Sequence, residues 1–241
     1  MTKRILFIVE GRKTEPRFIR KMMKSFNISD ESQTYVYGTN IHVLYNSVFS
    51  EGDPEDVDLL LSLKSQSDSE DDRRLLSMDY TDVFLVFDAE VQDPGFDAER
   101  MRVMLRYFSN STENGKLYLN YPMMESYRHM RSVNDGGYLE SVVRKGDIHC
   151  YKETVNDEGC AELRDPNRYD RRIFEIILLA NARKYLYLAY ASPMGIGDYV
   201  ECDGLHLFDV QMDMLEGRGE LYVINTSVLI ALDYSPRILD P

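Results

Sequence analysis

Two short apolar runs, each followed at once by carboxylates, constrain the fold of this chain more than any other feature of its sequence. The first, residues 5–9, ends at Glu10; the second, within residues 82–87, ends at Asp88 and Glu90. Short runs without alternation are typical of strands covered on both faces, as in a parallel sheet. The carboxyl ends of parallel strands meet at one edge of the sheet, where ligands usually bind. The sequence therefore predicts that the three acids lie together at such an edge.

Helical patterns alternate with strand patterns along the first half of the chain. After the first strand, Thr14 is expected to cap a helix whose apolar residues recur at helical spacing up to Phe26. This alternation predicts an α/β fold, in which a mostly parallel, Rossmann-like sheet with right-handed crossovers is flanked by helices. The other expected elements are a strand over residues 41–45, a short helix over 57–63, a solvated acidic loop over 65–72, a helix over 97–108 and a strand over 116–119.

The second half has a different character, and we expect it to be mainly helical. A soft boundary near residue 136 divides the chain into an α/β domain over residues 1–135, which carries the acidic cluster, and a C-terminal region over residues 136–241 packed on it. The expected elements are a helical segment over residues 123–130, a polar irregular stretch over 147–168, one long helix over 169–191 or two helices broken near Asn181, a helix over 205–216, a strand over 221–224 and a last helix that Thr226 caps and that ends at Tyr234.

Charge and composition exclude several classes of protein. No apolar run approaches the ~20 residues needed to cross a bilayer, and the first residues lack the cleavage site of a secretory signal. Three widely spaced cysteines form neither a disulfide framework nor a zinc motif. We therefore expect a soluble, cytoplasmic protein without a membrane partner. The net charge of −13 opposes binding of nucleic acid by bulk electrostatics, so a polyanionic substrate requires a metal, a local basic strip or a basic partner.

The expected cluster of Glu10, Asp88 and Glu90 offers only oxygen ligands, which favour Mg²⁺ or Mn²⁺ over Zn²⁺. A cation would also relieve the repulsion among unpaired carboxylates. Candidates for a second metal position are Glu15, Asp93 and Glu125. Each acid also has a plain structural interpretation. Glu10, Asp88 and Glu90 follow strands and are compatible with turns. Glu15 and Glu125 are compatible with acids that stabilise the first turn of a helix.

The chain resembles the Toprim domain in two segments, VEGRKTEPRF at residues 9–18 and FDAE at residues 87–90. In that family a Glu follows the first strand and a DxD motif follows the third; here Glu90 stands in place of the second Asp. The resemblance narrows to the RloB-like and OLD-type nucleases of bacterial phage-defence loci, because the segment NYPMMESY at residues 120–127 is similar to their NPxxExW-like segment with one inserted residue. The match covers about the first 130 residues.

This resemblance implies a Mg²⁺-dependent Toprim-fold nuclease that hydrolyses phosphodiesters of RNA or DNA as the effector of an anti-phage system. Glu10, Asp88 and Glu90 would be its catalytic and metal-binding residues, and its implied partner is an AAA or ABC-type ATPase. Two alternatives stay open. One is a catalytically silent binding or scaffold subunit of an ATPase complex, and the other is a primase-like nucleotidyltransferase. The oligomeric state stays open as well.

A dense group of cations lies beside the expected cluster, in the first predicted helix and the loop before it. Arg12, Lys13, Arg17 and Lys21 are the candidates for binding the substrate backbone, with Arg20 and Lys24 in the same segment. The alternative is the solvated face of an amphipathic helix. A phosphate-loop reading of Lys13 and Thr14 fails, because Arg12 occupies the position of the second glycine.

Overall fold

The centre of the fold is a five-stranded, mostly parallel sheet. The structure is a computed structural model and describes residues 3–28, 31–49, 57–191 and 199–239. The strands of the sheet are β1 (Arg4–Val9), β2 (Glu31–Val36), β3 (Asp82–Asp88), β4 (Ser109–Asn110) and β5 (Gly115–Asn120). Their order is β2-β1-β3-β5-β4, and only β4 runs antiparallel to its neighbour. The predicted α/β fold is confirmed, and β1 and β3, which carry the two acidic segments, are adjacent and parallel.

Helices flank this sheet and make up most of the second half of the chain. They are α1 (Thr14–Ser25), α2 (Ile41–Phe49), α3 (Leu59–Gln66), α4 (Glu70–Leu75), α5 (Ala98–Tyr107), α6 (Tyr151–Glu158), α7 (Arg171–Tyr190), α8 (Gly204–Arg218) and α9 (Ile230–Tyr234). Short 3-10 helices span Met124–His129, Gly136–Glu140, Lys145–Cys150, Ala161–Leu163, Pro166–Arg168 and Ser227–Leu229. Strands β6 (Val142–Arg144) and β7 (Glu220–Tyr222) form a small antiparallel sheet.

Strand β1 is the most deeply buried element, as its apolar sequence predicts. Its residues from Ile5 to Val9 are fully buried, so both faces of the strand are covered. Burial of each such side chain contributes roughly 1.5–3 kcal/mol, which makes β1 a rigid support for the residue that follows it. The hydrophobic core is one cluster that draws on both sides of residue 136. The division into two regions at that position stays a prediction.

The second strand of the sheet was predicted in the wrong place. Residues 41–45 belong to helix α2, in which Ile41, Leu44 and Val48 are buried at helical spacing while Val43 is 44% exposed. A strand would have placed residues 41, 43 and 45 on one face. The true strand, β2, lies at the edge of the sheet, and its polar sequence ESQTYV gave no apolar signal. The expected loop over residues 65–72 was also wrong, because it contains the end of α3 and the start of α4.

The second half is more regular than its sequence suggested. Helix α7 continues unbroken through Asn181, whose amide nitrogen donates to the carbonyl of Ile177. The stretch over residues 147–168 that was predicted to be irregular contains α6.

Two predicted helix caps were wrong. Thr14 is the first residue of α1 and follows the N-cap position. Thr226 occupies the N-cap position of the 3-10 helix Ser227–Leu229 before α9, but its hydroxyl donates to the carbonyl of Leu119 and makes no capping hydrogen bond. The predicted helices near 97–108 and 205–216 and the strands near 116–119 and 221–224 are confirmed as α5, α8, β5 and β7.

None of the helices in the described ranges combines the length and the apolar character that crossing a membrane requires.

Candidate metal centre

Glu10 is held at the carboxyl edge of the sheet by hydrogen bonds to both neighbouring strands. Its backbone N–H donates to the carbonyl of Val86 in β3 (3.3 Å), and its carbonyl accepts from Gly38, just after β2 (3.0 Å). One carboxylate oxygen, Oε2, accepts from the backbone N–H of Asp88 at 3.2 Å. The position of the Glu10 side chain is therefore fixed by the sheet that carries it.

Asp88 and Glu90 complete the cluster from the end of β3. Each of Glu10, Asp88 and Glu90 offers a carboxylate oxygen, and these three oxygens all lie within 4.8 Å of one another. Glu90 has a left-handed backbone with φ of 46°, an arrangement that costs a non-glycine residue on the order of 1–2 kcal/mol. The carbonyl oxygen of Glu90 accepts from the N–H of Asp93 at 2.9 Å, and the Nε2 atom of His42 lies 3.3 Å from the same oxygen. The sequence prediction that these three acids meet is thus fulfilled in geometry.

Burial and mutual repulsion disfavour charge on all three carboxyl groups. Burial, with smaller contributions from Glu90 and Glu15, raises the pKa of Glu10 to about 7, although the hydrogen bond from Asp88 opposes the shift. Burial and then the charge of Glu10 raise the pKa of Asp88 well above its ordinary value. Burial followed by the charge of Asp93 raises the pKa of Glu90, while His42 lowers it. Three crowded, partly desolvated acids of this kind need a cation or bound protons.

The donor set fits a hard divalent cation. Its members are carboxylate oxygens only, and with separations of at most 4.8 Å they could hold one ion after small side-chain shifts. The raised pKa values agree with this, because they show that charge on Glu10 and Asp88 is disfavoured without a cation, and a bound cation would stabilise that charge. The residues that could hold Mg²⁺ or Mn²⁺ are therefore Glu10, Asp88 and Glu90.

Glu15 and Glu125, two candidates for a second metal position, lie next to this cluster and outside it. The charges of both raise the pKa of Asp88. Glu15 folds back over the loop before α1, so that a β-carbon at Gly11 would lie 2.6 Å from its Oε2 atom; a side chain at residue 11 would displace it. Glu125 is buried, and its Oε1 atom lies 2.7 Å from the Nζ atom of Lys152. This ion pair joins α6 to the 3-10 helix that carries Glu125.

Asp93, the third candidate, is engaged in the turn after β3. Its Oδ1 atom accepts from the N–H of Gly95 at 2.6 Å, and its Oδ2 atom accepts from the amide of Asn40 at 3.1 Å. Among the residues that the structure describes, only Glu10, Asp88 and Glu90 form a group close enough to hold one ion. A metal role for Asp93, Glu15 or Glu125 stays a prediction.

The candidate substrate-binding cations lie in α1 and the loop before it. Arg12, Lys13 and Arg17 are exposed, whereas Lys21 is half-buried and donates to the carbonyl of Asn167 in the second half of the chain. Within the described ranges, no cation between residues 12 and 24 forms an ion pair. In a chain with 41 acidic and 28 basic side chains, a helix of unpaired cations is a distinct local feature.

The sequence analysis missed three residues at or beside the site: Asn120 and His42 contact Asp88 and Glu90, respectively, and Lys152 contacts the neighbouring Glu125. Lys152 was placed in an irregular stretch, and His42 was placed in a strand. Asn120 was noticed only as part of a motif, although its position at the end of β5, beside Asp88 in the sheet register, was a usable signal. A polar residue ending the strand next to a carboxylate-bearing strand is expected at the same edge.

Comparison of the chain with models of protein families, with curated proteins and with solved structures gave no match in any of the three. The resemblance to the Toprim domain therefore stays a prediction from the sequence.

Proposed function

We propose that this protein is a divalent-metal-dependent nuclease that hydrolyses the phosphodiester bonds of RNA or DNA. The observation that carries the proposal is the cluster of Glu10, Asp88 and Glu90 at the carboxyl edge of a parallel sheet, with carboxylate oxygens within 4.8 Å. When bound there, Mg²⁺ or Mn²⁺ supplies the positive charge that polarises a phosphodiester for attack by water.

The chain's own residues have separable roles in this proposal. Asp88 and Glu90 hold the cation from β3, and Glu10 holds it from β1. In the metal-free protein the pKa of Glu10 is raised to about 7, so this carboxyl group would release a bound proton when the cation binds. The sheet fixes the spacing between these groups, so little reorganisation is needed when the cation binds.

A polyanionic substrate is supported by the position of the unpaired cations. Helix α1 begins four residues after Glu10, and its exposed side chains include Arg17, Arg20 and Lys24. Phosphate contacts from such side chains give affinity without base specificity. Since the net charge of the chain is −13, this helix is the surface best suited to hold a nucleic-acid backbone next to the carboxylates.

The biological setting follows from the family resemblance alone. We propose a cytoplasmic effector of anti-phage defence that acts with an AAA or ABC-type ATPase. A cytoplasmic location also agrees with the three cysteines, which are all free.

Cleavage assays test the proposed activity directly. Single-stranded RNA and DNA oligonucleotides are incubated with the protein in Mn²⁺, in Mg²⁺ or in EDTA, beside the Glu10→Gln and Asp88→Asn variants. We expect metal-dependent products from the wild-type protein and none from either variant. Metal binding without cleavage, even with the ATPase present, would favour the scaffold alternative. Incorporation of nucleotides into a primer would favour the nucleotidyltransferase.

A further inference from the structure

The side chain of Asn120 links the candidate metal ligand Asp88 to the C-terminal part of the chain. The two residues are partners in the register of β3 and β5, and the N–H of Ala89 donates to the carbonyl of Asn120 at 3.0 Å. Adjacent residues in register point to the same face of a sheet. The amide nitrogen Nδ2 of Asn120 lies 3.5 Å from the Oδ1 atom of Asp88.

The amide orientation of Asn120 is set from the opposite side. Its Oδ1 atom accepts three hydrogen bonds, from the backbone N–H of Thr226 (3.2 Å), the backbone N–H of Ser227 (3.3 Å) and the hydroxyl of Ser227 (2.8 Å). All three residues are buried. Rotating the amide by 180° would place an NH₂ group against the two backbone N–H donors, so the observed orientation, with Nδ2 facing Asp88, is favoured.

The segment that supplies these donors is itself firmly held against the end of β5. Tyr121 and Ile224 exchange two backbone hydrogen bonds (2.9 and 2.8 Å). The amide of Asn225 donates to the carbonyl of Met124 (2.7 Å), and the hydroxyl of Thr226 donates to the carbonyl of Leu119 (2.8 Å). The metal edge of the sheet is therefore assembled with residues more than a hundred positions away in the chain.

We propose that Asn120 is a positioning residue for Asp88, and that the backbone N–H groups of Thr226 and Ser227, with the hydroxyl of Ser227, hold it in the orientation that metal binding requires. The proposal rests on the metal site of the proposed function. An N–H aimed at a carboxylate restricts its rotation and stabilises its charged form, and charge-assisted bonds are shorter than neutral ones. The 3.5 Å contact is accordingly expected to tighten when a cation keeps Asp88 charged. Partners of this kind usually contribute about 10- to 100-fold to metal affinity.

Two matched variants separate positioning from stability. Ser227→Ala removes the hydroxyl that donates to Asn120, and Thr226→Val removes a neighbouring buried hydroxyl that donates to Leu119 instead. Both changes delete one buried hydrogen bond, so both should lower the melting temperature in EDTA to a similar extent. Titration calorimetry with MnCl₂ should show an affinity at least several-fold weaker for Ser227→Ala and unchanged for Thr226→Val.

The variant Asn120→Leu tests the same contact directly. It removes the amide from Asp88, and we expect Mn²⁺ affinity to fall by about 10- to 100-fold. Should Asn120→Leu fail to fold, the comparison of Ser227→Ala with Thr226→Val decides alone. Wild-type affinity in Ser227→Ala, or in folded Asn120→Leu, overturns the positioning role and leaves the proposed function intact. Wild-type protein that binds no Mn²⁺ overturns both.

Discussion

At the scale of single residues, the candidate site is a group of carboxyl groups placed where charge is costly. The parallel sheet delivers Glu10 and Asp88 to one edge, and the N–H of Asp88 donates to Glu10 rather than leaving its carboxylate to solvent. Burial is the first cause of the raised pKa of each of the three acids. The site is therefore electrostatically strained without a cation, which is common where binding is the function of a cluster.

Asp88→Asn should abolish metal binding without unfolding the protein. The raised pKa of Asp88 favours the neutral acid in the metal-free protein, and an amide resembles that form in shape and charge. We expect the melting temperature in EDTA at pH 7 to be unchanged or higher. The loss of Mn²⁺ affinity should exceed the about 10- to 100-fold typical of a residue that only supports a ligand. Calorimetric titration and thermal melts measure the two effects.

The control is Asp97→Asn, the same chemical change at the N-cap of α5, where Asn also caps well. It should leave metal affinity at the wild-type value. An unfolded Asp88→Asn protein would instead identify Asp88 as a structural turn residue.

Glu10 should make the metal-free protein less stable as the pH rises. Because the pKa of Glu10 is raised to about 7, the folded protein holds this proton more tightly than the unfolded chain. The resulting stabilisation is complete below the unfolded pKa of about 4.3 and is lost as the pH rises through about 7. Glu10→Gln cannot ionise and should avoid this loss. In EDTA, its melting temperature relative to wild type should therefore increase between about pH 5 and 8; parallel curves over that range would contradict the assignment.

At the scale of elements, α1 concentrates positive charge beside the sheet edge. The double variant Arg17→Ala/Arg20→Ala should weaken binding of single-stranded oligonucleotides. It should also reduce the slope of log affinity against log salt by about 0.7 for each phosphate contact that is lost. Mn²⁺ affinity should stay close to wild type, because neither side chain belongs to the carboxylate cluster. Fluorescence anisotropy at several salt concentrations measures the slope.

A matched control for α1 is Arg218→Ala, which removes an exposed cation at the end of α8. Equal losses of oligonucleotide affinity in Arg218→Ala and in the α1 variant would show that overall charge, and not this helix, controls binding.

Helix α6 is held to the 3-10 helix at Met124–His129 by the ion pair of Lys152 with Glu125. Lys152→Met leaves a buried carboxylate without its cation and should reduce the free energy of unfolding by roughly 1–3 kcal/mol, less than for a fully buried pair because Lys152 is 59% exposed. Adding Glu125→Gln should recover much of this loss. The exposed pair Arg131–Glu158 is the control, and Arg131→Met should cost less than about 1 kcal/mol in urea denaturation. Equal costs at both pairs would refute the special role of the buried one.

The sequence correctly predicted the elements whose burial can be recognised from a local run of apolar residues. Strands β1 and β3 are buried on both faces, and each therefore reads as an apolar run. Strand β2 is an edge strand with polar residues, so its pairing depends on β1 and not on its own sequence. The meeting of Glu10 with Asp88 followed from strand order alone. The position of Asn120 at this edge follows from the end of its strand, but its hydrogen bond from Ser227 and the pairing of Lys152 with Glu125 could not be predicted, because both depend on contacts outside the local sequence.

At the scale of the whole molecule, charge is distributed very unevenly along the chain. Residues 3–28 contain eight of the 28 lysines and arginines but only two of the 41 acidic residues, and these two are Glu10 and Glu15. The rest of the chain is strongly acidic. A nucleic acid approaching α1 is therefore attracted locally and repelled by the remaining surface, and the balance depends on ionic strength.

This balance predicts that the proposed nuclease activity of the isolated protein is weak. At about 0.15 M salt the attraction of α1 for phosphates is largely screened beyond ~8 Å, and the net negative charge of the rest of the chain opposes the approach of a polyanion. We expect little or no cleavage of plasmid DNA or bulk tRNA by the chain alone. Activity should rise when the proposed ATPase partner is added, because a partner that holds the substrate supplies the missing affinity. The assay compares cleavage with and without the ATPase at several salt concentrations, with Asp88→Asn protein plus ATPase as the control for contaminating nucleases. Efficient, salt-insensitive cleavage of bulk nucleic acid by the chain alone would contradict the need for a partner. Such activity would require a nucleic-acid-binding surface beyond α1, which the net charge of −13 does not favour.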